Sequence, residues 1–205
     1  MNRTVQLPAP DTKGAMPVEC AIQKRCSHRS FSGEALSLPE LAQVLWCAQG
    51  LTGQRRRAAP SAGATYPIEL LAAVGSGTVA GLEAGVYRYV PARHVLLNSA
   101  AGDIRSGVAD AAWGQRFLAS APADLLIAAV FGRTTGRYGE GGIRYVHMEV
   151  GCVAQNVHLQ CEALGLGTVM VGAFDEAGVA AIFGLPADVV PLCLMPVGRP
   201  GRDEQ

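Results

Sequence analysis

The stretch from Tyr145 to Leu164, YVHMEVGCVAQNVHLQCEAL, carries no proline and stops at Gly165, a residue that takes positive φ without steric cost. It predicts a helix ~30 Å long. Its apolar side chains fall into two stripes when wound at helical pitch. Val146, Val150, Val153, Ala154, Val157, Cys161 and Leu164 form one stripe, and Met148, Cys152, Leu159 and Ala163 form the other. His147, Gln155, His158 and Glu162 separate them on one flank, and Glu149, Asn156 and Gln160 on the other. A surface helix needs only one apolar face, so two faces call for a packed layer on each side. Either the helix is internal to the chain's own core, or one stripe meets the sheet and the other meets a partner subunit. The polar flanks argue against a membrane span.

Only 17% of the 205 residues are charged, against ~25% in an average soluble domain. So little charge favours an oligomer. The formal net charge is zero, which gives no electrostatic basis for binding nucleic acid or an anionic membrane. Cys20, Cys26, Cys47, Cys152, Cys161 and Cys193 form no C-x-x-C pair. Several lie in apolar runs, as free thiols do in a reducing compartment. Residues 1–17 lack the apolar core of a signal peptide. These features predict a cytoplasmic protein.

Residues 1–20 read as an N-terminal arm, extended or disordered, and residues 21–205 as one domain. Between Ala21 and Phe31 the chain gathers Lys24, Arg25, His28 and Arg29 around Ser27 and Ser30. In an extended segment Arg25, Ser27 and Arg29 share one side. Two guanidiniums and a hydroxyl there suit a phosphate, and a solvated basic loop is the alternative. Ser37-Leu38-Pro39-Glu40 is a capping box that opens a helix ended by Gly50. Ala59–Pro67 is rich in small residues, letting the backbone approach a flat ligand. Strands are predicted at Ile68–Val74, Val86–Val90, Asp124–Phe131 and Val189–Val197. The last carries Pro191 and Pro196 and must be an edge or irregular. Gly75-Ser76-Gly77-Thr78-Val79-Ala80 matches a dinucleotide fingerprint formally, but Gly81 and Gly85 leave no helix behind it. Residues 98–119 read as helical, 132–142 as a glycine-rich exposed loop, 168–172 as β-rich and 174–185 as a short helix. No zinc pattern is present, and His147 and His158 do not sit at i, i+4 spacing, so no metal centre is predicted. Strands alternating with helices predict an α/β or α+β domain.

Taken in order, these patterns resemble a family. Arg25-Cys26-Ser27-His28-Arg29-Ser30-Phe31 is similar to the R-x-S-x-R-x-F opening of nitroreductase-type FMN oxidoreductases. Ala59–Pro67, Gly81–Tyr89, Arg144-Tyr145, Glu149-x-Gly151-x-x-Ala154-Gln155-Asn156, Gly172-Ala173-Phe174-Asp175 and Pro196–Pro200 resemble its SagB-like, azoline-dehydrogenase branch. The resemblance implies an α+β, three-layer α/β/α sandwich with a mixed, mostly antiparallel sheet. It also implies a homodimer with a long helix and FMN at the subunit interface. By position, Arg25, Ser27, Arg29 and the Cys26 backbone would hold the phosphate and ribityl chain, joined by Arg199 and Arg202. Pro60, Ser61, Ala62 and Gly63 would cover the isoalloxazine from the other subunit. Val171, Gly172 and Ala173 would line the opposite edge, and Gln115 or Arg116 the pyrimidine edge.

The implied activity is hydride transfer from NAD(P)H through FMN to a small nitro- or quinone-like acceptor. The alternatives are oxidation of thiazoline or oxazoline rings in a peptide, or flavin binding with little turnover. On the substrate side stand Arg137 and Tyr138. Azoline-oxidising members carry Lys-Tyr there, and arginine, always protonated, is a poor base. Arg137 is instead suited to an anionic substrate or the nicotinamide cofactor's phosphate.

Overall fold

The computed structural model describes residues 3–201; Arg202 lies outside them. Strands β1 (Thr4–Gln6), β2 (Ile68–Val74), β3 (Gly85–Val90), β4 (Val95–Ala101), β5 (Ala123–Ala129), β6 (Gly167–Thr168) and β7 (Val190–Gly198) form one sheet in the order β1-β4-β3-β2-β5-β7-β6. Every strand pair in it is antiparallel. The expected mixed character is absent from the named strands, and the parallel contact Leu36–Val79 is an isolated bridge.

The sheet is central because β5 is apolar on both faces. All seven of its residues are buried. Leu125, Ile127 and Ala129 face α2 (Leu38–Gln49) and α6 (Gly141–Leu164). Leu126 and Ala128 face the layer of α3 (Arg105–Ala111), α4 (Phe117–Ser120) and α7 (Glu176–Phe183). The result is the three-layer α+β sandwich expected. α2 opens with the Ser37/Glu40 capping box and ends at Gly50. No helix is long and apolar enough to cross a membrane among the described residues.

α6 resolves the question its two stripes pose. Val146, Val150, Val153, Ala154, Val157 and Cys161 are buried against the sheet. The other stripe is less covered: Met148 is 60% exposed and Ala163 is exposed, while Cys152 and Leu159 are half-buried. Within one chain, α6 is therefore fully covered on one side only. It starts four residues before Tyr145 and closes at Gly165 in the left-handed conformation, φ 67°.

Several expectations are corrected. Residues 95–101 are strand β4, not helix, because pairing with both β3 and β1 outweighs the helix propensity of its alanines. Residues 132–138 form a short helix, α5 (Gly132–Tyr138), where an exposed loop was expected; the Thr134 hydroxyl, 2.8 Å from that of Thr65, ties it down. The β-rich run 168–172 reduces to β6 plus a bridge from Val171 to Leu194. The arm is extended and joins the sheet as β1, while α1 (Val18–Lys24) starts before residue 21. β7, expected to be an edge or irregular, takes the second course: it lies inside the sheet and accommodates Pro191 by a bulge opposite Ile127 and Ala128.

One buried charge site underlies the α3–α4 layer. Asp124 is fully buried, and neither carboxyl oxygen has a hydrogen-bond partner among the described residues. Burial pushes its pKa well above 3.8, with Arg105 pulling part of the way back. Arg105 is itself held by Asp103, through Nε at 2.9 Å and a terminal nitrogen at 2.6 Å. A Cβ on Gly75 would fall 1.8 Å from that guanidinium, so only glycine admits it. A raised folded-state pKa means stability is complete below the unfolded value and declines as pH rises through the folded one. Asp124→Asn keeps the neutral shape without titrating. Its stability relative to wild type in urea unfolding should therefore grow as pH rises above the ordinary carboxyl range; a constant difference would show that Asp124 stays ionised.

Candidate functional site

The expected site residues form two groups at opposite ends of the sheet. The first begins where α1 ends. Arg25 closes that helix by donating its N–H to Ala21, and the chain then runs extended. His28 N–H donates to the Thr168 carbonyl at 2.9 Å. Phe31 bridges Pro200, Ser32 N–H donates to the Arg199 carbonyl, and Gly201 N–H donates to the Ser30 carbonyl. Both ends of the chain are thereby stitched side by side, which brings Arg199 beside the segment of Arg25, Ser27 and Arg29. Cys26 and His28 turn toward α6, where Glu162 meets them. Burial and then the nearby Arg25 charge lower the pKa of His158 on α6, so Arg25 stays close to that helix; alternation along the extended segment separates Ser27 and Arg29 from Cys26 and His28. The Arg199 guanidinium is not idle: Nε donates to Glu34 at 2.9 Å, and a terminal nitrogen donates to Glu40 at 2.8 Å. Glu34 is largely exposed, whereas Glu40 is held in the α2 cap.

The same surface continues past β6. Val171 exchanges both backbone hydrogen bonds with Leu194 at 2.9 Å, which leaves Gly172 and Ala173 exposed. Gln115 Nε2 donates to the Ala173 carbonyl at 3.0 Å, so Gln115, not Arg116, joins this edge. Arg116 pairs with Asp110 at 2.8 Å. Trp113, two residues before Gln115, is 72% exposed and sits at φ 58°.

The second group surrounds the Pro60–Gly63 loop. Gly63 adopts φ 58°, and a Cβ there would strike the Tyr138 hydroxyl at 2.5 Å and the Arg137 guanidinium at 2.9 Å. Arg137 donates to the Gly63 carbonyl at 3.1 Å. The substrate-side pair and the small-residue loop, 74 residues apart, thus share one rim. Ser61 accepts from Tyr66 N–H at 2.9 Å. A groove of about 320 Å³ opens between Pro60, Ser61, Ala62 and the α6 residues Tyr145, Met148 and Cys152. Its floor holds a residue that the sequence did not mark as part of a site. Glu149 is 3% exposed and has an unpartnered Oε1. Burial raises its pKa, and Ser61, Gln49 and Arg57 partly oppose this. The available signal was a lone carboxylate on the α6 flank, but depth of burial is not readable from spacing. A larger cavity of about 480 Å³ lies elsewhere, between β2, β3 and the α7–β7 connection. Glu69 spans it to Arg88 at 3.8 Å and to Arg133, and Arg133, from the 132–142 stretch expected to face a ligand, is among its lining residues.

The two groups meet α6 at Glu162 and at Glu149. Thirteen residues of helix separate these, about 20 Å. One chain therefore does not bring all the expected residues around one ligand.

Residues 22–199 match the sequence profile described as the Nitroreductase family. A Methanocaldococcus jannaschii protein, provisionally named a nitroreductase, is 45% identical over 97% of this chain and 98% of its own length. The crystal structure of a provisionally assigned nitroreductase from Ralstonia eutropha is 31% identical, with TM-score 0.84, across 97% of this chain and 90% of that one. The Escherichia coli microcin synthetase McbBCD complex, solved with truncated pro-MccB17 bound, contains a chain 25% identical with TM-score 0.76, covering 95% of this chain and 77% of that one. An oxidoreductase role accords with a shared fold, the ordered motifs and near-complete coverage: the chain belongs to the nitroreductase family.

Proposed function

We propose that two copies of this chain form an FMN-dependent oxidoreductase that takes reducing equivalents from NAD(P)H and passes them to a small nitro- or quinone-like acceptor. One observation carries this reading. The two site groups lie about 20 Å apart along α6, and the helix face joining them is apolar and incompletely covered. Two chains packed antiparallel through Met148, Cys152 and Ala163 would set the Pro60–Gly63 rim of one against the Arg25–Arg29 and Val171–Ala173 surface of the other. The composition agrees, with few charges for the surface of a lone chain. Six free cysteines fit the reducing cytoplasm.

The donor set suits the cofactor. Arg25 and Arg29 would offer only donors on the phosphate side, and the Ser27 hydroxyl can turn its O–H toward the same anion. Arg199 adds a fork once the exposed Glu34 gives way. Val171 spends its N–H on Leu194, so the donor toward the ring edge comes from Gly172 or Ala173. Gln115 stands at the same edge. FMN, when bound, supplies the hydride acceptor and donor. Pro60, Ser61, Ala62 and Gly63 exclude water from one face of it. Glu149, whose pKa burial raises, lies beneath Ser61 and would position that loop. Arg137 and Tyr138 at the rim meet the substrate, Arg137 as a fixed cation.

A second reading, oxidation of azoline rings in a peptide, draws on the similarity to the microcin synthetase chain. Arg137 opposes it, because it replaces the lysine whose neutral form serves as base. Anaerobic stopped-flow mixing with NADPH separates the two. Rapid bleaching of a yellow protein supports the reductase, and a bound flavin that NADPH leaves oxidised would overturn it.

Two substitutions test the architecture. Arg25→Ala should weaken FMN binding by about 1.5–3 kcal/mol, the worth of a charged hydrogen bond, and an unchanged titration would remove Arg25 from the cradle. Met148→Asp costs little within one chain, where the side chain is exposed, but buries a lone carboxylate in the proposed seam. It should yield folded monomers that lose flavin together with their partner. A flavin-loaded dimer of that variant would place the interface elsewhere.

A further inference from the structure

The back of the Arg25–Arg29 segment carries a cluster that the flavin reading does not use. Cys26 Sγ lies 3.2 Å from His28 Nε2, and that same nitrogen lies 3.8 Å from Glu162 Oε1. The three ligating atoms fall within 4.8 Å of one another. We propose that Cys26, His28 and Glu162 form a binding site for a borderline-soft divalent cation of the zinc class. The donor set is the thiol, imidazole and carboxylate of such sites. The spacing agrees. Ligand atoms about 2.0–2.3 Å from a tetrahedral zinc ion stand about 3.3–3.8 Å apart. The two separations, 3.2 and 3.8 Å, lie close to that range, so small side-chain adjustments admit the ion. The fourth position faces outward past Cys26, which is exposed, and takes water.

The residues are held in place before any ion arrives. The His28 N–H bond to Thr168 fixes the backbone. Gly167 lies beneath the imidazole, where a Cβ would fall 2.8 Å from His28 Cβ and Cγ. His28 and Glu162 side chains are only 12% and 15% exposed. A thiol, an imidazole and a carboxylate could also form a nucleophilic relay. In a relay the acid orients one ring nitrogen and the thiol uses the other. Here sulfur and carboxylate converge on the same nitrogen, an arrangement that surrounds a point. Binding replaces the sulfur–hydrogen bond with a metal–sulfur bond and releases the thiol proton to solvent.

The proposal stands apart from the flavin and is tested on the purified full chain with Co²⁺ as the probe, in difference spectra against the metal-free protein. Wild type should take up one Co²⁺ per chain, with a thiolate charge-transfer band that Zn²⁺ abolishes. Cys26→Ser, conservative at an exposed position, should lose that band and weaken uptake by at least ~10–100-fold, the loss typical of a supporting ligand. His28→Ala should weaken uptake likewise, and Cys20→Ser should leave it unchanged. Equal uptake by wild type and Cys26→Ser, or uptake without a thiolate band, would overturn the site.

Discussion

The proposed function depends on one helix that a single chain covers incompletely. α6 buries one apolar stripe in the core and leaves part of the other to solvent, with Met148 foremost. The exposed stripe lies between the two places where functional residues collect. The Ser61 loop rests on α6 at Glu149, and the Cys26–His28 segment rests on it at Glu162. A rigid helix keeps those points about 20 Å apart, and no rotation of side chains closes that gap. In the proposed dimer a second copy running the other way would close it, since its own α6 carries the complementary points in reverse order. The same apolar burial would then stabilise the dimer and assemble the site.

Much of this was legible because it was local. The Ser37/Glu40 box, the apolar run of β5 and the stop at Gly165 each act within a few residues, and each appears where its chemistry puts it. β4 was hidden because VLLNSAA has neither strict alternation nor turn residues at its end, and only pairing with β1 and β3 makes it a strand. α5 was hidden because Gly132 and Gly136 weaken any helix prediction, and its stability comes from contacts with the Thr65 loop. For the site, the order of motifs was readable but their grouping was not. Arg199 stands beside the Arg25–Arg29 segment through strand-like bonds across the chain ends, and Gln115 reaches Ala173 through a loop contact. The Cys26–His28–Glu162 cluster joins residues 136 and 134 positions apart, a separation that motif spacing cannot bridge.

Unsatisfied groups fall along the same division. The buried polar atoms without partners, among the described residues, belong to Gln49, Asp124, Glu149 and Thr168. Each such atom costs about 1–3 kcal/mol. Gln49 and Glu149 lie under the Pro60–Gly63 loop, and Thr168 lies where the first segment meets β6. Asp124 lies apart from both, beside Arg105 under the α3–α4 layer. Three of the four residues thus sit beside the two groups of expected site residues.

Backbone strain follows a similar pattern. Four non-glycine residues occupy the left-handed region among the described residues: Ala64, Tyr66, His94 and Trp113. His94 closes the β3–β4 hairpin and is compensated there, with the Tyr89 hydroxyl 2.8 Å from Nδ1. Ala64 and Tyr66 follow Gly63 in the loop on the rim, and Trp113 immediately precedes the Gln115 edge. Strained backbone of this kind costs of order 1–3 kcal/mol per residue and persists only where its surroundings enforce it. In the loop, Ser61 accepting from Tyr66 N–H and Arg137 donating to Gly63 supply that enforcement. Ordinary turns would have served to connect these elements. A loop held in this shape by a serine and by the substrate-side arginine couples the surface proposed to cover the flavin to the residue proposed to meet the substrate.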